Sequence, residues 1–285
     1  MSGAPRFLVV DGYSKAAREE LVAGGASIAA DLYAAMLRRF VPNAPVDTLF
    51  PSDPDASLPA GAELARYDGI AWTGCSLTVF DDEPRVKNQI ELCRAAFEAG
   101  VPGFGSCWGV QIAVVAAGGE CRANPRGREI GIARKIQLTP EGRAHPMYVG
   151  KPGVFDAFIS HDDEVTHWPA SARLLASNRF TRVQSMSVAH LNGMFWGLQY
   201  HPEYDLYEMA RLIYCRRTIL AELGFFADEA AALAHVDRLE ALHGDPSRAD
   251  IAWALGVDDD VMNPDARQCE TANWINRLVL PAMTR

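Results

Sequence analysis

Apolar residues fall in two alternating rhythms along the first half of the chain. Arg6 to Val10 reads as a buried strand that ends at Asp11-Gly12, and Val46 to Phe50 and Gly69 to Thr73 read as two more. Between them, Ile28, Leu32, Met36, Leu37 and Phe40 recur at helical spacing, which predicts a helix over Ala26 to Phe40. Glu83 to Ala99 predicts another helix, and Val101 to Gly105 a strand that runs straight into a glycine-framed segment. Strands that alternate with helices indicate an α/β chain with a doubly wound parallel sheet, in which sites gather at the carboxyl ends of the strands. From Gly131 to Tyr200 the pattern shortens to alternating stretches without helical period, which predicts antiparallel strands, with a hairpin turn at Leu191-Asn192-Gly193-Met194. Leu206 to Leu223 predicts a helix, and Phe225 to Arg285 three helix-like runs broken at Gly244-Asp245-Pro246 and Asn263-Pro264.

The chemistry concentrates in Gly103-Phe104-Gly105-Ser106-Cys107-Trp108-Gly109-Val110-Gln111, read with His201-Pro202-Glu203. A cysteine between two glycines, after a strand and before a helix, describes a nucleophile on a sharp strand-to-helix turn. The opening of a helix sets backbone N–H groups and the positive dipole end beside the sulfur, which favours an anionic thiolate. His201 supplies a base and Glu203 its orienter, giving a Cys-His-Glu triad. Pro202 stiffens the link between them. Alone, Cys107 would more often be a buried structural thiol. The glycine frame and the histidine-proline-glutamate run make it a nucleophile.

These residues resemble the class I glutamine amidotransferase family, whose G-x-C-x-G-x-Q elbow and distant H-P-E both stand unbroken here. Thr73-Gly74-Cys75-Ser76 resembles the family's oxyanion strand, Ser160-His161-Asp162-Asp163 its S-H-x-D segment, Val183-Gln184-Ser185-Met186 its V-Q-A-F segment, and Trp196 to Tyr200 the approach to the histidine. The likeness runs from about Arg6 to Gly224 and is strongest to stand-alone members resembling the amidotransferase domain of GMP synthase. It implies a flavodoxin-like doubly wound sheet with an added antiparallel segment, a catalytic domain over residues 1–224, and a helical extension over 225–285. The apolar residues of that extension, Trp253 and Trp274 among them, need a surface to cover, either the catalytic domain or a partner.

The resemblance also assigns further site residues. The backbone N–H groups of Cys75, beside Gly74, and of Trp108 would stabilise the oxyanion. Gln111, one helical turn after Cys107, would hold the substrate, and Gln184 its α-amino and α-carboxylate end. For both glutamines the competing reading is a polar residue satisfying buried backbone groups. His161 joins the substrate side in a structural or gating role.

Composition narrows the setting. The chain has 285 residues, 49% hydrophobic and 22% charged, with a net charge of −9. That suits a globular protein, and without a Lys/Arg cluster no nucleic-acid partner is expected. No apolar stretch approaches the roughly 18 residues of a membrane span, and the start leaves no space for a signal peptide. The six cysteines, Cys75, Cys93, Cys107, Cys121, Cys215 and Cys269, show no paired spacing, which favours a cytoplasmic location. The remaining histidines show no ligand spacing, so neither metal nor cofactor is expected. Phosphate-loop and dinucleotide-binding motifs are missing, as is the ATP-pyrophosphatase loop of GMP synthase. The leading expectation is therefore a hydrolase of the glutamine γ-amide that acts through a γ-glutamyl thioester and supplies ammonia to a separate synthetase. The alternatives are a γ-glutamyl hydrolase acting on a small amide or peptide, and a catalytically silent regulatory or scaffold protein. A homo-oligomer is compatible with any of them.

Overall fold

Every residue of Phe7–Val10 (β1) is buried, and the strand anchors a sheet that continues through the chain. A computed structural model describes residues 3–284. After β1 come two helices, Lys15–Ala23 (α1) and Ala29–Phe40 (α2). Only α2 shows in the apolar pattern, because α1 buries a single residue, Leu21, and is held at its start by Ser14, whose hydroxyl accepts from the Ala17 N–H. Helix α2 begins three residues later than its periodicity suggests, because the Ser27 N–H turns to the Glu208 carboxylate at 3.0 Å. Val46–Leu49 (β2), Gly69–Trp72 (β3), Pro84–Ala99 (α3), Gly103–Ser106 (β4) and Trp108–Ala116 (α4) complete the doubly wound half.

The chain then turns antiparallel through Glu120–Ala123 (β5), Glu129–Leu138 (β6), the short helix Pro140–Ala144 (α5), Val154–His161 (β7), Asp163–His167 (β8), Ala172–Ser177 (β9), Ser185–His190 (β10) and Gly193–Leu198 (β11). The main sheet has nine strands in the order β2-β1-β3-β4-β11-β10-β9-β6-β7, while β5 and β8 form a separate pair. β11 is the junction between the two halves. It pairs antiparallel with β10 across the turn at Leu191-Asn192, and parallel with β4 in the register Phe195↔Gly103 to Leu198↔Ser106. That register brings the ends of β4 and β11 side by side, so that Cys107 and His201, 94 positions apart in sequence, leave the same edge of the sheet.

Leu206–Glu222 (α6), Glu229–Gly244 (α7) and Ala249–Leu255 (α8) follow. Leu239 and Leu242 of α7 share one core cluster with Met209 and Leu212 of α6 and with Tyr13. Beyond α8 the chain continues in short helical turns to Cys269–Trp274 and Ile275–Val279. The two tryptophans of this region differ: Trp274 is fully buried between Phe7 and Phe104, at ring-centroid distances of 5.6 and 5.5 Å, whereas Trp253 is 85% exposed. A buried ion pair, Lys151 with Glu270, ties the same region to the sheet, and Glu270 accepts a 2.6 Å hydrogen bond from the hydroxyl of Tyr200, the residue that precedes His201 in sequence. Among the described residues no helix is long and apolar enough to cross a membrane.

Candidate active site

Cys107 stands between β4 and α4 at φ 50° and ψ −101°, a conformation that costs a non-glycine residue about 1–3 kcal/mol. Its N–H donates to the Leu198 carbonyl at 2.7 Å, so the register of β11 holds the turn. The flanking glycines answer to space. A β-carbon on Gly105 would lie 2.8 Å from the Trp72 carbonyl oxygen, and one on Gly109 3.1 Å from the same atom. Their absence lets β3, β4 and α4 close together behind the cysteine, which itself takes the left-handed conformation. Trp108 is fixed by its indole N–H, which donates to Gln89 Oε1 at 2.9 Å.

His201 Nδ1 donates to Glu203 Oε1 at 2.7 Å. The same oxygen accepts from Ser106 Oγ at 2.9 Å, and Ser106 in turn accepts from the Tyr33 hydroxyl at 2.7 Å. The carboxylate is thus held by β4 and α2 as well as by the short link through Pro202. Ser106 and Tyr33 give no signal in sequence, because the elbow pattern leaves position 106 free and Tyr33 reads as helix core. The imidazole stacks on Tyr204 with centroids 4.0 Å apart and planes 5° from parallel. Among the described residues its buried Nε2 meets no hydrogen-bond partner. Burial disfavours the imidazolium, yet Glu203 and the nearby Cys107 outweigh it, and the His201 pKa rises from 6.5 to about 9. At neutral pH the base therefore carries a proton to give.

Gly74 lies against both partners. A β-carbon there would meet His201 Cε1 at 2.8 Å and Cys107 Cβ at 3.5 Å. Cys75 lines the cleft beside Cys107, and burial pushes its thiol well above the usual range, so its side chain stays neutral. Trp108 opens α4, where an N–H has no intrahelical acceptor and is free to bind an anion. Substituting Gly74→Ala is expected to shift the imidazole and lower kcat/KM by about a hundredfold, the scale of an ångström-level misplacement. Cys75→Ser, by contrast, should retain most activity. Steady-state rates of the two variants check the contrast.

The remaining site residues divide between the cleft and its support. Gln111 is nearly buried at the cleft wall, and its Nε2 donates to the Asp163 carbonyl at 3.2 Å. His161 lines the same wall with both nitrogens engaged, Nδ1 with the Asp163 carbonyl at 2.8 Å and Nε2 with Glu129 at 3.1 Å. Gln184 is fully buried, does not line the cleft, and donates to Glu129 Oε2 at 3.0 Å. Glu129 also accepts from Asn178 at 2.7 Å and from Thr181 at 3.2 Å. This carboxylate, which no motif marks, gathers His161 and Gln184 into one support behind the cleft. Tyr13, Tyr204, Arg128 and Arg216 line the cleft as well. Their positions come from separate elements, so no sequence spacing announces them. Among the described residues no group of three or more His, Cys, Asp or Glu converges as a metal site.

A γ-glutamyl-L-1-hydroxyisopropylamide hydrolase of a Pseudomonas species is 33% identical over 291 residues, covering 98% of this chain and 95% of that one. A GMP synthase of Methylobacillus flagellatus is 31% identical over 147 residues, which span 47% of this chain but 25% of the synthase. Among solved structures, a glutamine amidotransferase from Thermotoga maritima shares the fold with a TM-score of 0.67 at 16% identity, covering 98% of this chain and 99% of that one. The family model for class-I glutamine amidotransferase matches residues 51–216, a span that holds the elbow, the histidine and the glutamate. With more than half of its length matched by that model, and a relative similar along nearly all of it, the chain belongs to the class I glutamine amidotransferase family.

Proposed function

We propose that this chain hydrolyses the γ-amide of a γ-glutamyl compound of a small amine, through a thioester on Cys107. The observation that carries the reading is the similarity to the Pseudomonas γ-glutamyl amide hydrolase over almost the full length of both chains. In the proposed cycle the Cys107 thiolate attacks the γ-carbonyl carbon, and the oxyanion takes hydrogen bonds from the N–H groups of Cys75 and Trp108. His201 Nε2 gives its proton to the amide nitrogen as the C–N bond breaks, and the free amine leaves. Glu203 holds the tautomer that makes this possible. Nε2 then takes a proton from water, the hydroxide attacks the thioester, and the thiolate departs to leave glutamate. The balance is one amide and one water to one glutamate and one amine. Gln111 meets the glutamyl end in the cleft, with Gln184 and His161 supporting that wall through Glu129.

The ammonia-supplying reading, which stands first from sequence alone, keeps the same chemistry with glutamine as substrate and a separate synthetase as partner. The GMP synthase match supports it. It falls to second place because that match leaves three quarters of the synthase without a counterpart here. Comparing glutamine, asparagine and γ-glutamyl amides of small amines by release of glutamate or aspartate tests the order. The proposal expects the γ-glutamyl amides to be turned over with higher kcat/KM than glutamine, and asparagine hardly at all. A preference for glutamine over every amide would restore the ammonia reading, and a preference for asparagine would defeat both.

A further inference from the structure

One wall of the cleft holds a cation that meets no counter-charge among the described residues. Arg216, on α6, is half-buried and faces the cleft together with Tyr13, Tyr204 and Ser160. Its guanidinium reaches Ser160 Oγ at 3.5 Å, and the phenols of Tyr13 and Tyr204 and the thiol of Cys215 are also near it. Among the described residues no carboxylate ion-pairs with it. Arg128, the second arginine of the cleft, differs, because Asp162 already answers its charge. A partly desolvated guanidinium that faces only neutral groups loses hydration without recovering it, and an arriving anion would supply what is missing.

The chemistry of the site says which part of a substrate that anion belongs to. His201 must hand its proton to the departing nitrogen, so the leaving amine lies on the open Nε2 side of the imidazole. Tyr204 stacks on that ring, and Tyr13 and Arg216 continue the same wall. Gln111 lines the same cleft and is held to the Asp163 carbonyl by the 3.2 Å hydrogen bond from its amide. Tyr13 is also held in place, since its N–H donates to the buried Asp11 carboxylate at 3.0 Å.

We propose that Arg216, with the hydroxyls of Tyr13 and Tyr204, forms a leaving-group subsite for a carboxylate, so that the preferred substrates are γ-glutamyl amino acids. The subsite rests on the hydrolase reading above. The Pseudomonas relative's name specifies a hydroxylated amine, so the leaving group is the part of the substrate on which the subsite bears.

Three amides that share one carbon skeleton test it: γ-glutamyl-alanine, γ-glutamyl-L-1-hydroxyisopropylamide and γ-glutamyl-isopropylamide, which carry a carboxylate, a hydroxymethyl or a methyl at the same position. The wild-type chain is expected to favour the alanine compound over the isopropylamide by at least about tenfold in kcat/KM, the scale of one charge-assisted pair. In Arg216→Gln that ratio should fall toward one, and Arg216→Lys should restore part of it. An equal loss on all three substrates in Arg216→Gln would place the arginine at the glutamyl end and overturn the subsite. So would a wild-type ranking with the carboxylate compound last, which needs no variant to fold. Turnover of glutamine with none of the three amides consumed would overturn the hydrolase reading, and the subsite with it.

Discussion

Cys107→Ala is expected to abolish amide hydrolysis, with a loss of at least about a thousandfold. Cys107→Ser should be nearly as damaging, because a hydroxyl in the same place is not ionised and the adjoining imidazole already carries its proton. The turn that carries Cys107 is fixed by its backbone. The backbone turns through a positive φ at Cys107, the neighbouring glycines leave room for β3 and α4 to close behind it, and the Leu198 carbonyl pins its N–H. None of these features depends on the sulfur, so the variants should fold. Circular dichroism and the melting temperature of each variant, measured beside its rate, separate lost chemistry from lost structure.

His201→Asn is expected to cost as much as losing the cysteine, since members of a cooperating triad fail together. Glu203→Gln should cost less, because Tyr204, Pro202 and the hydrogen bond from Ser106 still help to place the ring and its partner. A larger loss from Glu203→Gln than from His201→Asn would reverse the roles assigned here. The pH profile adds a second reading of the same pair. With the His201 pKa raised to about 9, the general acid is present through neutral pH and is lost as pH climbs through that value. The wild-type kcat/KM should therefore fall on the alkaline side near pH 9. Removing the Glu203 carboxylate takes away an influence that raises the value, so the alkaline limb of Glu203→Gln should move to lower pH. A limb unmoved by that substitution would mean that another group sets it.

Much of this could be read from local pattern. Buried strands such as Phe7–Val10 and Gly103–Ser106, separated by helices, declare the doubly wound half, and the elbow and the histidine-proline-glutamate run are contiguous signals. What escaped depends on neighbours that are distant in sequence. The pairing of β11 with β4 brings Cys107 and His201 together, yet nothing in either strand names its partner. Gln184 follows the family motif, but its amide nitrogen donates to Glu129, a residue that no motif includes. Trp253 and Trp274 look alike in a run of apolar positions. Only the sheet decides that one meets Phe7 and Phe104 while the other faces solvent. Arg216 reads as one more charge on a surface helix, and that no carboxylate among the described residues pairs with it is a property of three dimensions alone.

The central claim is that a γ-glutamyl group passes through Cys107. The most direct measurement is the intact mass of the protein, acid-quenched during turnover of a γ-glutamyl amide, followed by peptide mapping. The account predicts a single adduct with the mass of one γ-glutamyl group, located on the peptide that carries Cys107 and missing in Cys107→Ala. Unimpaired glutamate release by Cys107→Ala, or an adduct on Cys75 in place of Cys107, would contradict it.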